Sequence, residues 1–392
     1  EFNYADSQIL FHKSFDLVNS LINRYSDLTY ETKNINTVKL NSHLKLGNKL
    51  IGEGQKTFIV AEAGLNHNGS FEIAKKLIDN AKEINCNAIK FQSFLPNSRV
   101  SKFVKSEKYA EKIIGTQESI SELFQRLSLN FKTQKKIFNY AKKKKIMIFS
   151  TPFDFESADF LDKVGVLAFK IASADLVNIP LITHVSKKLK PIIISTGMSK
   201  ISEIDDAVEA VKSTGNKNLV LLHCNSSYPS TYAEVNLKFM DTLKKMYNIP
   251  IGFSDHTKGT LGAIMSLPFG ALVFEKHFLP NYKIKKVGDF KLSLNPKELK
   301  TYIETIRNSY TLLGKKRNSF FDSESSFYNS LRRSPYFKLS MRKGEKISEN
   351  KIIFLRPFSK KSINNFNIEK ILGKKLKKSV NYQQLIQKKL FY

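Results

Sequence analysis

The chain has 392 residues, 41% of them hydrophobic, which is enough for a sizeable core and for two or three domains. Its 64 Lys+Arg against 35 Asp+Glu give a formal charge of +29, but the excess is mostly Lys spread along the whole length, a surface bias rather than a clustered nucleic-acid face. No apolar run approaches the roughly 18 residues of a membrane span, and no disulfide framework is possible with Cys86 and Cys224 alone.

A reducing, cytoplasmic setting is therefore expected, with no nucleic acid and no membrane as partner. The sequence opens on Glu1 without a signal-peptide pattern, and upstream sequence can be missing. Residues 1–44 form a polar extension of unassigned role, with one weakly amphipathic stretch at Ile9–Ile22 that suits an outer helix or the tail of another domain.

From Thr57 short apolar runs alternate with segments of helical period. The runs are 58–61, 88–91, 146–149, 166–169, 192–194, 219–222, 249–253 and 271–274. Helices are expected between them at 71–84, 131–143, 155–164, 204–211, 260–267 and 296–313. About eight strands with intervening helices are what a (β/α)8 TIM barrel requires, here over residues 45–315. An open doubly wound sheet should carry a Gly-rich phosphate turn after its first strand. The turn here reads Glu62-Ala63-Gly64-Leu65-Asn66-His67-Asn68-Gly69 and lacks it. Residues 94–130 form a charged insertion after the second strand, placed to be a lid or a solvated excursion. A basic linker at 316–329 leads to residues 330–392, whose short β runs split by Gly and Pro predict a small β-rich domain.

Polar residues close nearly every predicted strand: Glu62; Lys90 and Gln92; Ser150 and Thr151; Lys170 and Ser173; Ser195 and Thr196; His223 and Ser226; Ser254, Asp255 and His256; Glu275 and His277. In a barrel these ends converge on one mouth. One such residue is explained by a helix cap or a solvated side chain; the repetition is not. Lys90 and Lys170 inside apolar strands are costly unless an anion neutralises them. That anion is either a structural partner such as Glu62 or a phosphate and carboxylate also met by Ser173, Ser195 and Ser254. Lys170 could equally form a Schiff base. His256 and His277 suit a divalent metal, or are satisfied core histidines. His67 and His223 are further mouth candidates, whereas His12, His43 and His184 read as surface residues.

Phe58-Ile59-Val60-Ala61-Glu62-Ala63-Gly64-Leu65-Asn66-His67-Asn68-Gly69 resembles the first-strand signature of sialic acid synthases. Seven segments follow in that family's order: Lys90-Phe91-Gln92-Ser93, Ser150-Thr151-Pro152-Phe153, Lys170-Ile171-Ala172-Ser173, Ser195-Thr196-Gly197-Met198, the run from His223 to Pro229, Gly252-Phe253-Ser254-Asp255-His256-Thr257, and Glu275-Lys276-His277-Phe278. Arg332-Arg333-Ser334, Lys343-Gly344-Glu345 and Arg356-Pro357 resemble its C-terminal antifreeze-like (SAF) domain. The resemblance implies a domain-swapped homodimer that condenses phosphoenolpyruvate with N-acetylmannosamine or a related acylamino-hexose. It implies that Lys90, Lys170, Ser173, Ser195 and Ser254, with Thr151, Phe153, Asp175 and Glu275 beside them, line the substrate pocket. His256 and His277 would bind Mn2+ or Mg2+; Glu62, Gln92, Tyr228 and Asp289 would handle the sugar or its protons; Arg356 would reach across from the partner subunit. Four positions depart from the family pattern: Val287 before Gly288-Asp289, Phe290 for a usual His, Asp175 for a usual Glu, and Phe358 for a usual Gly. They fall on the sugar side and leave sugar identity open.

Three rivals share some of these features. A synthase making a shorter keto acid would lack the C-terminal domain, a Schiff-base aldolase would use Lys170 covalently, and a degenerate barrel would bind polyanions through its positive charge.

Overall fold

The computed structural model describes residues 38–101, 119–280, 288–314 and 319–392. The stretch Ile9–Ile22, His12, the centre of the 94–130 insertion and Val287 lie outside them. Two compact units divide at Leu313 and Gly314.

The first unit is a (β/α)8 barrel. After a hairpin, β1 (His43–Leu46) and β2 (Lys49–Gly52), come eight parallel strands: β3 (Phe58–Gly64), β4 (Ala88–Ser93), β5 (Met147–Pro152), β6 (Phe169–Ile171), β7 (Ile192–Ser195), β8 (Leu219–Cys224), β9 (Ile251–Ser254) and β10 (Ala271–His277). They pair in sequence order, and β10 pairs back onto β3, closing the sheet. Helices follow at the expected places, among them Phe71–Glu83, Phe131–Lys143, Phe155–Val164 and Pro296–Leu313. Their starts are local: Ser70, Asn130 and Asp154 each accept a backbone N–H of the first turn through the side chain.

Alternation along each strand sorts the two cores. Outward residues such as Ile59, Ile89, Ile148, Ile194, Leu221, Phe253 and Phe274 pack under the helices. Inward residues Phe58, Val60, Ala88, Phe149, Ala168, Ile193, Val220, Leu222 and Val273 fill the lower barrel. The β1–β2 hairpin joins this inner core through Leu44, Leu46 and Ile51. The hairpin leaves no pattern in the sequence, because its strands are short and half polar. Gly252 is required where the inner core is tightest, since a Cβ there would stand 2.2 Å from the Val273 carbonyl oxygen.

The fourth strand also differs from expectation. The apolar run 166–169 predicts the strand there, but Phe169–Ile171 makes the ladder and Leu167 is 48% exposed. The second unit, Gly314–Tyr392, contains the antiparallel pair β11 (Ser334–Phe337) and β12 (Ile352–Leu355) over a small core of Phe337, Met341, Ile347, Leu376, Val380 and Ile386. Most of the expected linker is instead a helix, Asp322–Leu331. None of that helix's residues is buried, so it carries no inward apolar stripe for a sequence reading to find.

Candidate active site

Above the inner core the inward positions turn polar, and the side chains meet. Glu275 stands between two lysines, its Oε2 3.6 Å from Lys90 Nζ and its Oε1 3.8 Å from Lys170 Nζ. Lys90 Nζ lies 2.8 Å from Glu62 Oε2 and donates to Thr151 Oγ1 at 3.1 Å. Lys170 Nζ donates to Ser195 Oγ at 2.6 Å, Ser254 Oγ donates to Glu275 Oε1 at 3.0 Å, and Gln92 Nε2 donates to Glu62 Oε1 at 3.4 Å. Strands β3 to β7, β9 and β10 thus supply one connected, buried cluster.

Its charges are unequal. Burial raises the Glu275 carboxyl, but Lys170 and then Lys90 outweigh it and hold the group at about 2, ionised. Glu62 is pushed up to about 7 by burial and by the neighbouring Glu275 and Asp289, with Lys90 opposing. Burial works against the charge on both lysines; Glu275 and Glu62 hold Lys90 above the ordinary range, whereas Lys170 is left below it. The cluster therefore holds one carboxylate fixed in charge and another poised to exchange a proton near neutrality.

Beside it the rings of His256 and His277 face each other, 5.5 Å apart between centroids. His256 Nδ1 donates to the Asn225 carbonyl at 2.8 Å. Against the cost of burial, Cys224 and this bond raise the imidazole to about 9, so Nε2 carries a proton at neutral pH that a bound metal would displace. His277 is held neutral, well below the imidazole range, by burial and the nearby His256 and Lys90. Its buried Nδ1 makes no hydrogen bond and stands 3.4 Å from Asp289 Oδ2. Two imidazoles, one oriented by a carbonyl, are a donor pair of the kind a divalent metal takes. Among the described residues no group of three or more His, Cys, Asp or Glu is placed to hold a metal ion. Most coordination positions would fall to water and substrate. Gly64, in the left-handed region (φ 51°), leaves this corner open: a Cβ would come within 2.7 Å of Asp289 Oδ2, 3.3 Å of His277 Nδ1 and 3.5 Å of Glu62 Oε1.

The NeuB family matches residues 77–318. The chain belongs to that family. An uncharacterized Methanocaldococcus jannaschii protein is 41% identical over 88% of this chain and 97% of its own. The N,N'-diacetyllegionaminic acid synthase of Campylobacter jejuni is 38% identical over 85% of this chain and 99% of its own. Among solved structures, the N-acetylneuraminic acid synthetase of Leptospira borgpetersenii, in complex with citrate, superimposes with a TM-score of 0.65 at 33% identity. That match covers 75% of this chain and 98% of the Leptospira chain.

In this NeuB-family barrel the remaining candidates divide. The Tyr228 ring lies 4.3 Å from that of His256 and 6.3 Å from that of His277, covering the pair. Ser173 Oγ accepts from Gly197 N at 3.0 Å, and a Cβ on Gly197 would meet both Ser226 Oγ and Ser173 Oγ, so these hydroxyls adjoin. The Ser226 hydroxyl is buried without a hydrogen-bond partner. Asp175 follows in the short 3-10 turn Ser173–Asp175, and burial raises its carboxyl against the pull of Arg99 and Lys170. The Phe153 ring packs edge-on to Phe94, with centroids 6.2 Å apart. Arg356 lies on the second unit, just after β12. His223 Nε2 donates to the Val235 carbonyl at 2.6 Å, and burial holds His67 at about 4.

Asp255 corrects the reading of strand ends as uniformly mouth-facing. It points outward, 3.1 Å from Lys276 Nζ and accepting from Tyr302 Oη at 3.1 Å, with the ion pair fully buried. Ser254, Glu275 and His277 point in; Asp255 and Lys276 point out. The period-2 alternation already present in the sequence was the signal that separates them. His184 stays at the surface, as expected, and pairs with Asp159 at 2.7 Å.

Proposed function

We propose that the chain is a phosphoenolpyruvate-dependent nonulosonate synthase, joining phosphoenolpyruvate, an acylamino-hexose aldehyde and water into a nonulosonic acid and phosphate. One observation carries this reading: two buried lysines bracket a single carboxylate at the mouth of a closed barrel, amid hydroxyl donors and two facing imidazoles. Membership of the NeuB family supports it. The C. jejuni legionaminic synthase relative favours a diacylamino sugar as the aldehyde.

In this reading Lys90 and Lys170, with the hydroxyls of Thr151, Ser173, Ser195, Ser226 and Ser254, hold the phosphate and carboxylate, and Glu275 keeps both ammonium groups in place. The pocket fixes the enol face against the aldehyde carbon. C3 forms the new carbon–carbon bond using the C2–C3 π pair, and cation character develops at C2. Water adds there, and the C2–O bond to phosphate breaks as the ketone forms. The aldehyde oxygen gains a proton and water gives up two, one of them to the departing phosphate. Glu62, ionising near neutrality and bonded to Gln92, is placed to carry these protons. Manganese or magnesium held by His256 and His277 would act as a Lewis acid on the aldehyde. Tyr228, Gln92, Asp175 and Asp289 line the sugar side. The second unit is read as the antifreeze-like domain, which in a homodimer would bring Arg356 to the partner's sugar.

The test is phosphate release from phosphoenolpyruvate carrying 18O in the bridging position, across a panel of N-acetylmannosamine, its 6-phosphate and diacylamino-hexoses. The label should appear in phosphate, and only with an accepted sugar. Release with none of them, or label retained in the keto acid, contradicts the proposal. The lowered proton affinity of Lys170 also suits a Schiff base. Borohydride with pyruvate should nevertheless leave no adduct at Lys170, since its amine is engaged by Ser195 and lies near Glu275.

A further inference from the structure

At the end of the short helix Pro96–Arg99, in the insertion after β4, the Arg99 guanidinium carbon lies 3.9 Å from the Phe153 ring centroid. The Phe124 and Phe94 centroids are 4.0 Å and 4.6 Å from it. Three aromatic faces hold a planar cation whose hydrogens project along its edge. Phe94 is itself buried with Leu65, Leu123 and Leu127, and the helix Ile120–Leu127 that carries two of these is fastened by a Ser119–Glu122 capping box. The clamp is therefore anchored to the barrel and to the far arm of the insertion.

From this clamp Arg99 Nη1 donates to Gln92 Oε1 at 3.1 Å. A primary amide has an acceptor end and a donor end, so fixing one fixes the other. With Oε1 held by a group that can only donate, Nε2 faces Glu62 Oε1, 3.4 Å away. A flipped amide would set its oxygen against the Glu62 carboxylate and its NH2 against the guanidinium, replacing two attractive contacts with two repulsive ones.

We propose that Arg99 is a positioning residue: clamped by Phe94, Phe124 and Phe153, it locks the Gln92 amide with its donor end toward Glu62. Phe153, expected as a substrate contact, acts through Arg99. The guanidinium also pulls against the burial that raises the Asp175 carboxyl. Its influence therefore falls on the sugar side and leaves the phosphoenolpyruvate side to the lysines. This deepens the function proposed above and rests on it.

The experiment uses the full chain with Arg99→Leu and Arg99→Lys, measuring phosphate release with each substrate varied in turn. Arg99→Leu should lower kcat/KM for the sugar by roughly 10- to 100-fold, the scale of one lost charged hydrogen bond. KM for phosphoenolpyruvate should stay unchanged, and Arg99→Lys should recover part of the loss. Thermal melts of Arg99→Leu, Gln92→Leu and the double variant complete the test: their shifts should not add, because both single changes break the same bond. That cycle needs no turnover, so an inactive wild type would sink the functional reading and leave this one to be decided by the melts. Additive melting shifts, equal losses for both substrates, or an Arg99→Leu enzyme matching wild type would each overturn it.

Discussion

In the lower half of the barrel, Phe58, Val60, Ala88, Phe149, Ala168, Ile193, Val220 and Val273 point inward and exclude water. Two residues further along the same strands, about 6.6 Å, stand Glu62, Lys90, Thr151, Lys170, Ser195 and Glu275. The halves share strands, closure and helices. One pleat repeat separates packing that specifies the fold from charges that cost stability and are retained by mutual pairing. Substitutions below should therefore weaken the fold and spare chemistry, and substitutions above should do the reverse.

The largest effect is expected above. Lys170→Ala should cut phosphate release by at least roughly 10²–10³-fold, the cost of removing a preorganised charge donor, with the circular dichroism spectrum retained. A fully active Lys170→Ala enzyme would erase the distinction between the halves. Below, Phe149→Ala should lower unfolding stability by about 3–5 kcal/mol by opening a cavity. Turnover per folded molecule should be unaffected, as read from denaturant melts and active-site-normalised rates. Lys276→Met sharpens the comparison, because Lys276 is a strand-end lysine facing outward to Asp255. Breaking that buried pair should cost about 3–5 kcal/mol and leave kcat unchanged, unlike the inward lysines.

A smaller, graded effect concerns pH. Glu62 ionises at about 7 because burial outweighs Lys90, so its carboxylate is present above that pH and is lost as pH falls through it. If the carboxylate form accepts the proton, kcat/KM should fall about tenfold per unit below pH 7. Glu62→Gln should be slow and flat over the same interval; a limb that survives in Glu62→Gln would assign the titration elsewhere.

The barrel and most of its mouth were legible because a charged residue inside an apolar strand is conspicuous. Glu62, Lys90, Lys170 and Glu275 each interrupt such a run and each joins the cluster. Direction was harder to read. Asp255 and Lys276 looked like their neighbours, and only the pleat parity, fixed once Ser254 and Glu275 are known to face in, sends them outward. Residues placed by loops rather than by strand period gave no signal. Arg99 read as one more cation in a charged insertion until three phenylalanines, the most distant 54 positions along the chain, closed around it. The His43–Gly52 hairpin had the same fate, since its buried Leu44, Leu46 and Ile51 sit among lysines and a turn. Local pattern reports what a strand repeats, whereas long-range packing decides what a loop does.

Calorimetric titration of phosphoenolpyruvate into the wild-type chain and into the Lys90→Met, Lys170→Met double variant measures most directly whether the upper layer is an anion pocket. The wild type should bind one equivalent, and the variant should bind at least about 100-fold more weakly, the scale of two lost charge-assisted contacts. Equal affinity in the two proteins would contradict the assignment of the lysine pair.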